Sequence, residues 1–144
     1  KAAMRALRAQ GMGGSIVYIA SKNAFAPGAG FGGYSVTKAG MLQLMRIAAL
    51  EGGAVGIRAN AVNPDAVFDN SQLWSGGVRE QRAAAHGVKP EELESFYASR
   101  NLLKAEVRSE DVAATVSYLL GSESSRTTGA VIALNEGVSA TFPR

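Results

Sequence analysis

The stretch SIVYIASKNAFAPGAGFGGYSVTK, from Ser15 to Lys38, decides how the rest of the chain is read. Its first part, GSIVYIAS, is a short apolar run rich in β-branched residues and bounded by Gly14 and Ser21, which predicts a strand buried on both faces. The loop around Gly28, Gly30, Gly32 and Gly33 follows. From Tyr34 to Glu51, Met41, Leu44, Met45 and Ala48 recur at helical spacing until Gly52 and Gly53 stop the pattern. A second strand, VGIRANAVNP, then ends at Pro64. Two strands with a helix-length crossover between them form a parallel βαβ unit, whose right-handed connection sets the helix on one face of the sheet.

Working outward, KAAMRALRAQG carries Met4 and Leu7 at helical spacing and Gly11 at a C-cap position, without an N-cap, so the chain reads as if it begins inside a helix. Beyond Pro64 the sequence turns irregular. SQLWSGGVREQRAAAHG suggests one or two short helices broken at Gly76 and Gly77, and KPEELESFYASR a helix with Pro90 near its first turn. Residues 71–100 therefore read as an insertion that covers something. Ser109 is the expected cap of a helix over EDVAATVSYLLG, and GAVIALNEG is a last strand. The expected fold is a single α/β domain over residues 1–144 with a parallel sheet and no internal repeat.

Composition narrows the function. A chain of 144 residues with 47% hydrophobic and 19% charged content suits one globular domain with its own core. The net charge of +3 comes from scattered Lys and Arg without interleaved aromatics, which argues against nucleic acid. Without cysteine there is no disulfide framework or thiolate site, and one histidine cannot build a His-based zinc cluster, so no metal is expected. No apolar run approaches the roughly 20 residues that span a bilayer, and the N-terminus lacks a signal-peptide pattern. The expectation is a cytoplasmic protein with no membrane partner.

Topology says where chemistry belongs. Ligands of open parallel sheets bind beyond the carboxyl ends of the strands, where Ser21, Asn63, Pro64 and Val67 fall. Tyr34 joins them at the start of its helix, and Lys38, four residues on, shares its face. A free phenol ionises near pH 10, so a tyrosine acting as a base near neutrality needs its phenolate favoured by about 4 kcal/mol. A neighbouring ammonium, the positive end of a helix and an oxidised nicotinamide ring all act in that direction. A serine bonded to the same substrate oxygen would complete a site that takes a proton from an alcohol while hydride leaves its carbon.

The succession of SIVYIAS, Tyr34 thirteen positions after Ser21, Lys38, and IRANAVNP resembles the second half of the short-chain dehydrogenase/reductase family over nearly the whole chain. The resemblance implies that Ser21 orients the substrate oxygen, that Tyr34 is the general acid/base, and that Lys38 binds the nicotinamide ribose and favours the phenolate. Tyr34, Lys38, Pro64, Asp65 and Val67 are the implied cofactor contacts, with backbone near Val67 holding the carboxamide. Asp65 replaces the family's usual glycine, Asp69 stands where many members have a carboxamide-binding threonine, and LNEGV replaces the commoner Val-Asp-Gly-Gly. IASKNA, NPDAV, the long insertion and the ending GVSATFPR are similar to the dehydrogenase portion of bifunctional rhamnulose-1-phosphate aldolase/lactaldehyde dehydrogenases. That likeness implies NAD as cofactor, with NADP left open, lactaldehyde or a related small sugar-derived substrate, a homo-oligomer and an upstream aldolase domain. Trp74 and His86 are expected in lid packing and on the surface.

A dinucleotide also needs a Gly-rich turn after a first strand, with a charged residue further on to choose between NAD and NADP. The glycines of PGAGFGG fall between a strand and a helix but are not a Gly-x-Gly-x-x-Gly followed by the right acidic residue, so a structural loop that lets Ser21 and Tyr34 converge is expected. The expected architecture is thus the carboxyl half of a doubly wound Rossmann-like sheet, its first βαβ cofactor half missing. Two rivals stand beside a hydride-transfer enzyme. Ser35 to Lys38 matches the Ser-x-x-Lys of serine acyl-transfer enzymes, though Ser-Asp-Asn and Lys-Thr-Gly partners are lacking. The other is an inactive half-domain that serves only as an oligomerisation or interaction module through a face of Ala39, Ala48 and Ala49.

Overall fold

A computed structural model describes residues 1–142. Helix α1 (Ala2–Gln10) ends at Gly11, whose left-handed φ of 68° lets its N–H reach the Leu7 carbonyl. Strand β1 (Gly14–Ile19), helix α2 (Gly32–Gly52) and strand β2 (Ile57–Pro64) form the expected parallel unit, and β3 (Val131–Leu134) pairs with the far side of β2. The order is β1-β2-β3, with Gly14 opposite Ile57 and Ala61 opposite Val131.

The double burial expected of β1 belongs instead to β2, where every residue but Arg58 is buried. β1 is half-buried, because it is an edge of this sheet. Period-two alternation sorts β2 between two layers. Ala59 and Ala61 pack with Leu42, Met45 and Ala48 of α2, joined by Ile16, Tyr18 and Met4. Arg58 and Asn60 face the other way, toward α5 (Ser109–Leu120) and the segment entering β3. The inward stripe of α2 is thus Leu42, Met45 and Ala48, and Leu44 is exposed. Ala48, expected on the outer face, is core. Small residues let the layers close: a Cβ on Gly52 would sit 2.8 Å from the Ile57 carbonyl oxygen.

Arg58 holds the second layer. Its guanidinium donates to the carbonyls of Leu119, Gly121 and Thr127 and to Ser124 Oγ at 3.0–3.2 Å, supplying donors and positive charge to the carboxyl end of α5. At the other end of α5 the cap is Arg108 rather than Ser109: the Asp111 carboxylate accepts the Arg108 N–H, while the Ser109 N–H and hydroxyl both donate to Asp69.

The insertion comprises a 3-10 turn (Gln72–Trp74), α3 (Val78–His86), a second 3-10 turn (Pro90–Glu92) and α4 (Leu93–Ser99). Gly77 and Gly87 bracket α3 with φ of 85° and 68°, values that L side chains rarely adopt. Arg79 clamps α3 to α4 through Glu94 at 2.8 Å and the Pro90 carbonyl at 2.9 Å. After α4 the chain is tied to the loop beyond β3, where Glu136 O accepts the N–H groups of Leu102 and Leu103. Asn135 shapes that loop, its Oδ1 accepting the Gly137 and Val138 N–H groups. The insertion is therefore anchored beside the carboxyl ends of the strands.

Candidate active site

A cleft of about 450 Å³ opens where β1 and β2 end, and Ser21, Tyr34, Lys38, Pro64, Asp65 and Val67 all line it. Its volume lies in the range of small-molecule pockets, about 300–1,000 Å³. Each side chain arrives by a separate local device. Ser21 follows β1 and caps a 3-10 turn (Lys22–Ala24), its Oγ accepting the Asn23 N–H at 3.2 Å. Its own hydroxyl proton is left to donate elsewhere. Tyr34 and Lys38 stand one turn apart on α2, with the ammonium 5.6 Å from the phenol ring centroid. Lys38 Nζ donates to the Ile19 carbonyl at 2.9 Å, which fixes the cation at the end of β1. Burial pulls the Lys38 ammonium below its usual basicity.

At the end of β2, Asp65 is nearly enclosed and pairs with Arg100 at 3.4 Å. Burial pushes its carboxyl above the ordinary range, opposed by Lys22 and Arg100. The carbonyl of Val67 accepts the Trp74 indole N–H at 2.7 Å. Trp74 in turn stacks on Phe68, centroids 4.2 Å apart, and Tyr97 meets both rings edge-on. Trp74 thus joins the insertion to the end of β2 and also faces the cleft.

Two sequence expectations change. His86 is part of the cleft wall rather than a surface group, with Arg82 beside it. Lys22, Arg82 and Arg100 line the same cleft, so its wall is more basic than the motif residues alone suggest. The spacing of Arg82 and His86 puts them on one face of α3, but nothing in that spacing aims the face at Tyr34. Asp69 has a structural task at the start of α5, where hydrogen bonds from Ser109 hold its carboxyl below the usual range. Ser35, the serine of the acyl-transfer reading, is buried and is not among the cleft residues.

Among the described residues, no group of three or more His, Cys, Asp or Glu side chains could hold a metal ion, and no helix is long and apolar enough to cross a membrane.

The fold and cleft define an α/β domain that offers a ligand site at the carboxyl ends of parallel strands. A family model described as enoyl-(acyl carrier protein) reductase matches residues 1–139. The chain belongs to the short-chain dehydrogenase/reductase family. An uncharacterized oxidoreductase of Bacillus subtilis, YuxG, is 40% identical over 99% of this chain, which spans 21% of that protein. An L-rhamnose 1-dehydrogenase (NAD(P)(+)) of Azotobacter vinelandii is 43% identical over 46% of this chain, covering 26% of its own length. The crystal structure of levodione reductase superposes with a TM-score of 0.79 at 27% identity, over 96% of this chain and 51% of that one. The chain thus spans about half or less of the length of these relatives.

Proposed function

We propose that the native protein carrying this chain is an NAD(P)-dependent oxidoreductase that interconverts a small alcohol and its carbonyl compound. The observation that carries this reading is the convergence of Ser21, Tyr34 and Lys38 on one cleft, with the Pro64–Val67 segment forming its far wall. Ser21 would donate its hydroxyl proton to the substrate oxygen. Tyr34 would take the alcohol proton in oxidation and return it in reduction. Lys38 would favour the phenolate through its charge, held in place by Ile19 O.

The donor set suits the nicotinamide end of the cofactor. An ammonium has three N–H donors, and Ile19 O uses one of those on Lys38, leaving two for ribose hydroxyls. Pro64, Asp65 and Val67 would bound the ring, and the Val67 carbonyl is shared with Trp74. When bound, the nicotinamide supplies the hydride acceptor or donor. The NAD(P) in the name of the rhamnose dehydrogenase supports the cofactor class, and its sugar substrate favours a small polyol or hydroxyaldehyde. Lactaldehyde rests on the sequence resemblance. The 21% share of the B. subtilis relative leaves room for an additional domain such as an aldolase, and cytoplasmic location belongs to the same reading.

Tyr34→Phe tests it. Turnover of lactaldehyde or L-rhamnose with NAD should disappear while the NAD dissociation constant stays within about twofold; retained turnover refutes the role of Tyr34.

A second reading has its own support. Val36, Leu44, Ile47 and Leu50 expose a stripe of large apolar side chains along α2, which suits a helix paired with a second copy of the chain. We propose that the protein is a homo-oligomer through this face. Sedimentation of a Leu44→Glu, Leu50→Glu variant should show a smaller species; an unchanged assembly would move the contact elsewhere.

A further inference from the structure

The cleft carries a charge imbalance that proton and hydride transfer do not explain. Lys22, Lys38, Arg82 and Arg100 line it against one carboxylate, Asp65, which is already paired with Arg100. The ion pairs among the described residues are Arg79 with Glu94 and Arg100 with Asp65, so Arg82 has no counterion. Its Nη2 lies 3.0 Å from His86 Nε2, its Nη1 makes only a long 3.5 Å contact to Ala29 O, and its buried Nε has no hydrogen-bond partner. Because Nη2 can only donate, His86 Nε2 accepts, which holds the imidazole in its neutral form. Lys22 Nζ donates one long hydrogen bond, 3.5 Å to Ala26 O, and shares the field of Asp65 with Arg100. Arg82 is partly buried and lines the cleft, so the donors that the protein leaves unpaired there face whatever ligand the cleft holds.

Position fixes what that ligand is to the site. The Phe31 ring packs 4.3 Å under the Arg82 guanidinium and 5.7 Å from the Tyr34 ring, so a single aromatic side chain separates Arg82 from Tyr34. Arg82 and Tyr34 thus both touch Phe31 on the wall of one cleft, so a ligand that fills the cleft can meet both.

We propose that the cleft takes a substrate bearing an oxyanion, a carboxylate or a phosphate, bound by Arg82 with Lys22 beside it and the reacting carbon at Tyr34. This rests on the proposed oxidoreductase and narrows its substrate from a neutral polyol or hydroxyaldehyde to one that also carries an acid group. The arrangement suits a short molecule with an acid group at one end and an alcohol or carbonyl at the other, because Arg82 presents two parallel N–H donors in a fork that fits such anions.

His86 gives a readout independent of turnover. Burial, with the charges of Arg82, Arg100 and Lys22, pulls the imidazole below its usual range, and an anion on Arg82 reverses part of that pull. In the native protein, the His86 imidazole proton signal, assigned by its loss in His86→Asn, is titrated against pH with and without inorganic phosphate. Phosphate should raise the midpoint saturably by at least about half a pH unit, and Arg82→Gln should abolish the response. An identical titration with and without phosphate overturns the proposal. So does a response produced by NAD alone that phosphate cannot add to, since the charge then serves the cofactor. Kinetics separate this failure from failure of the function: a small hydroxy acid and the neutral diol of equal length are compared with NAD. Arg82→Gln should lower the acid-to-diol ratio of kcat/KM about tenfold, with Arg82→Lys recovering part of it. Turnover of the diol with no preference for the acid and no phosphate response refutes the anion site and keeps the oxidoreductase. A phosphate response without turnover of any alcohol refutes both the oxidoreductase and the claim that the anion belongs to its substrate.

Discussion

Replacing Lys38 by methionine tests the electrostatic core of the proposed site with a magnitude set by one distance. The ammonium lies 5.6 Å from the centroid of the Tyr34 ring. At that separation a unit charge favours a phenolate by about 3 kcal/mol at an effective dielectric of 20, and by about 0.7 kcal/mol at that of water. Lys38 is only partly buried, so the expected loss of charge stabilisation is about 1–3 kcal/mol, or roughly 5- to 150-fold in rate. Lys38→Met should lower kcat/KM at neutral pH by that factor. Lys38→Arg, which keeps the charge, should recover much of the loss. The Ile19 carbonyl loses its donor in Lys38→Met, but Ile19 is 41% exposed and water can replace the ammonium. Unfolding in urea should therefore shift by less than about 1 kcal/mol, separating a catalytic loss from a folding one. An unchanged kcat/KM in the methionine variant would refute the reasoning.

Further perturbations probe the supports of the site. Trp74→Phe keeps a ring on Phe68 but removes the 2.7 Å bond to Val67 O, and should cost about 1 kcal/mol in urea unfolding while raising KM; unchanged values would separate the insertion from the end of β2. Gly52→Ala sets a methyl 2.8 Å from the Ile57 carbonyl, where backbone must yield, so a loss of about 1–3 kcal/mol is expected, and a neutral result would mean that α2 can slide on β2. Asp69 has a depressed carboxyl, so its contribution is present above the ordinary carboxylate range and is lost as pH falls through its folded value. The stability gap between wild type and Asp69→Asn should accordingly narrow in acid, and a gap that widens would contradict the hydrogen bonds from Ser109 as its source.

The elements that the sequence announced are those whose signals are local. Gly11 and Gly87 end helices because only glycine enters the left-handed region without strain. IRANAVNP was legible as a strand from a short run around Ile57 and Val62 bounded by Gly56 and Pro64. The position of Lys38 one turn after Tyr34 was equally legible, since it follows from the helical period alone. Other assignments depended on neighbours. Leu44 and Ala48 are both apolar at helical spacing, and only the packing of α2 on Ala59 and Ala61 decides that Ala48 goes inward and Leu44 outward. Ser109 has the chemistry of a cap, yet Asp69, forty residues earlier, takes its N–H and hydroxyl.

The sequence by itself made legible the main helices and strands, the parallel pairing of β1 and β2 and the shared helical face of Tyr34 and Lys38, because each follows from backbone preference and short-range period. What only the tertiary structure decided is what stands across from them. Arg58 reads as a charge in an apolar strand until the end of α5 and the segment that follows it supply its four acceptors. Arg82 and His86 read as a solvated helix face until the insertion folds over the strand ends and turns that face into the cleft. A periodic pattern records which side chains share a surface; the surface they meet is set by chain segments far away, whose placement comes from packing the whole domain.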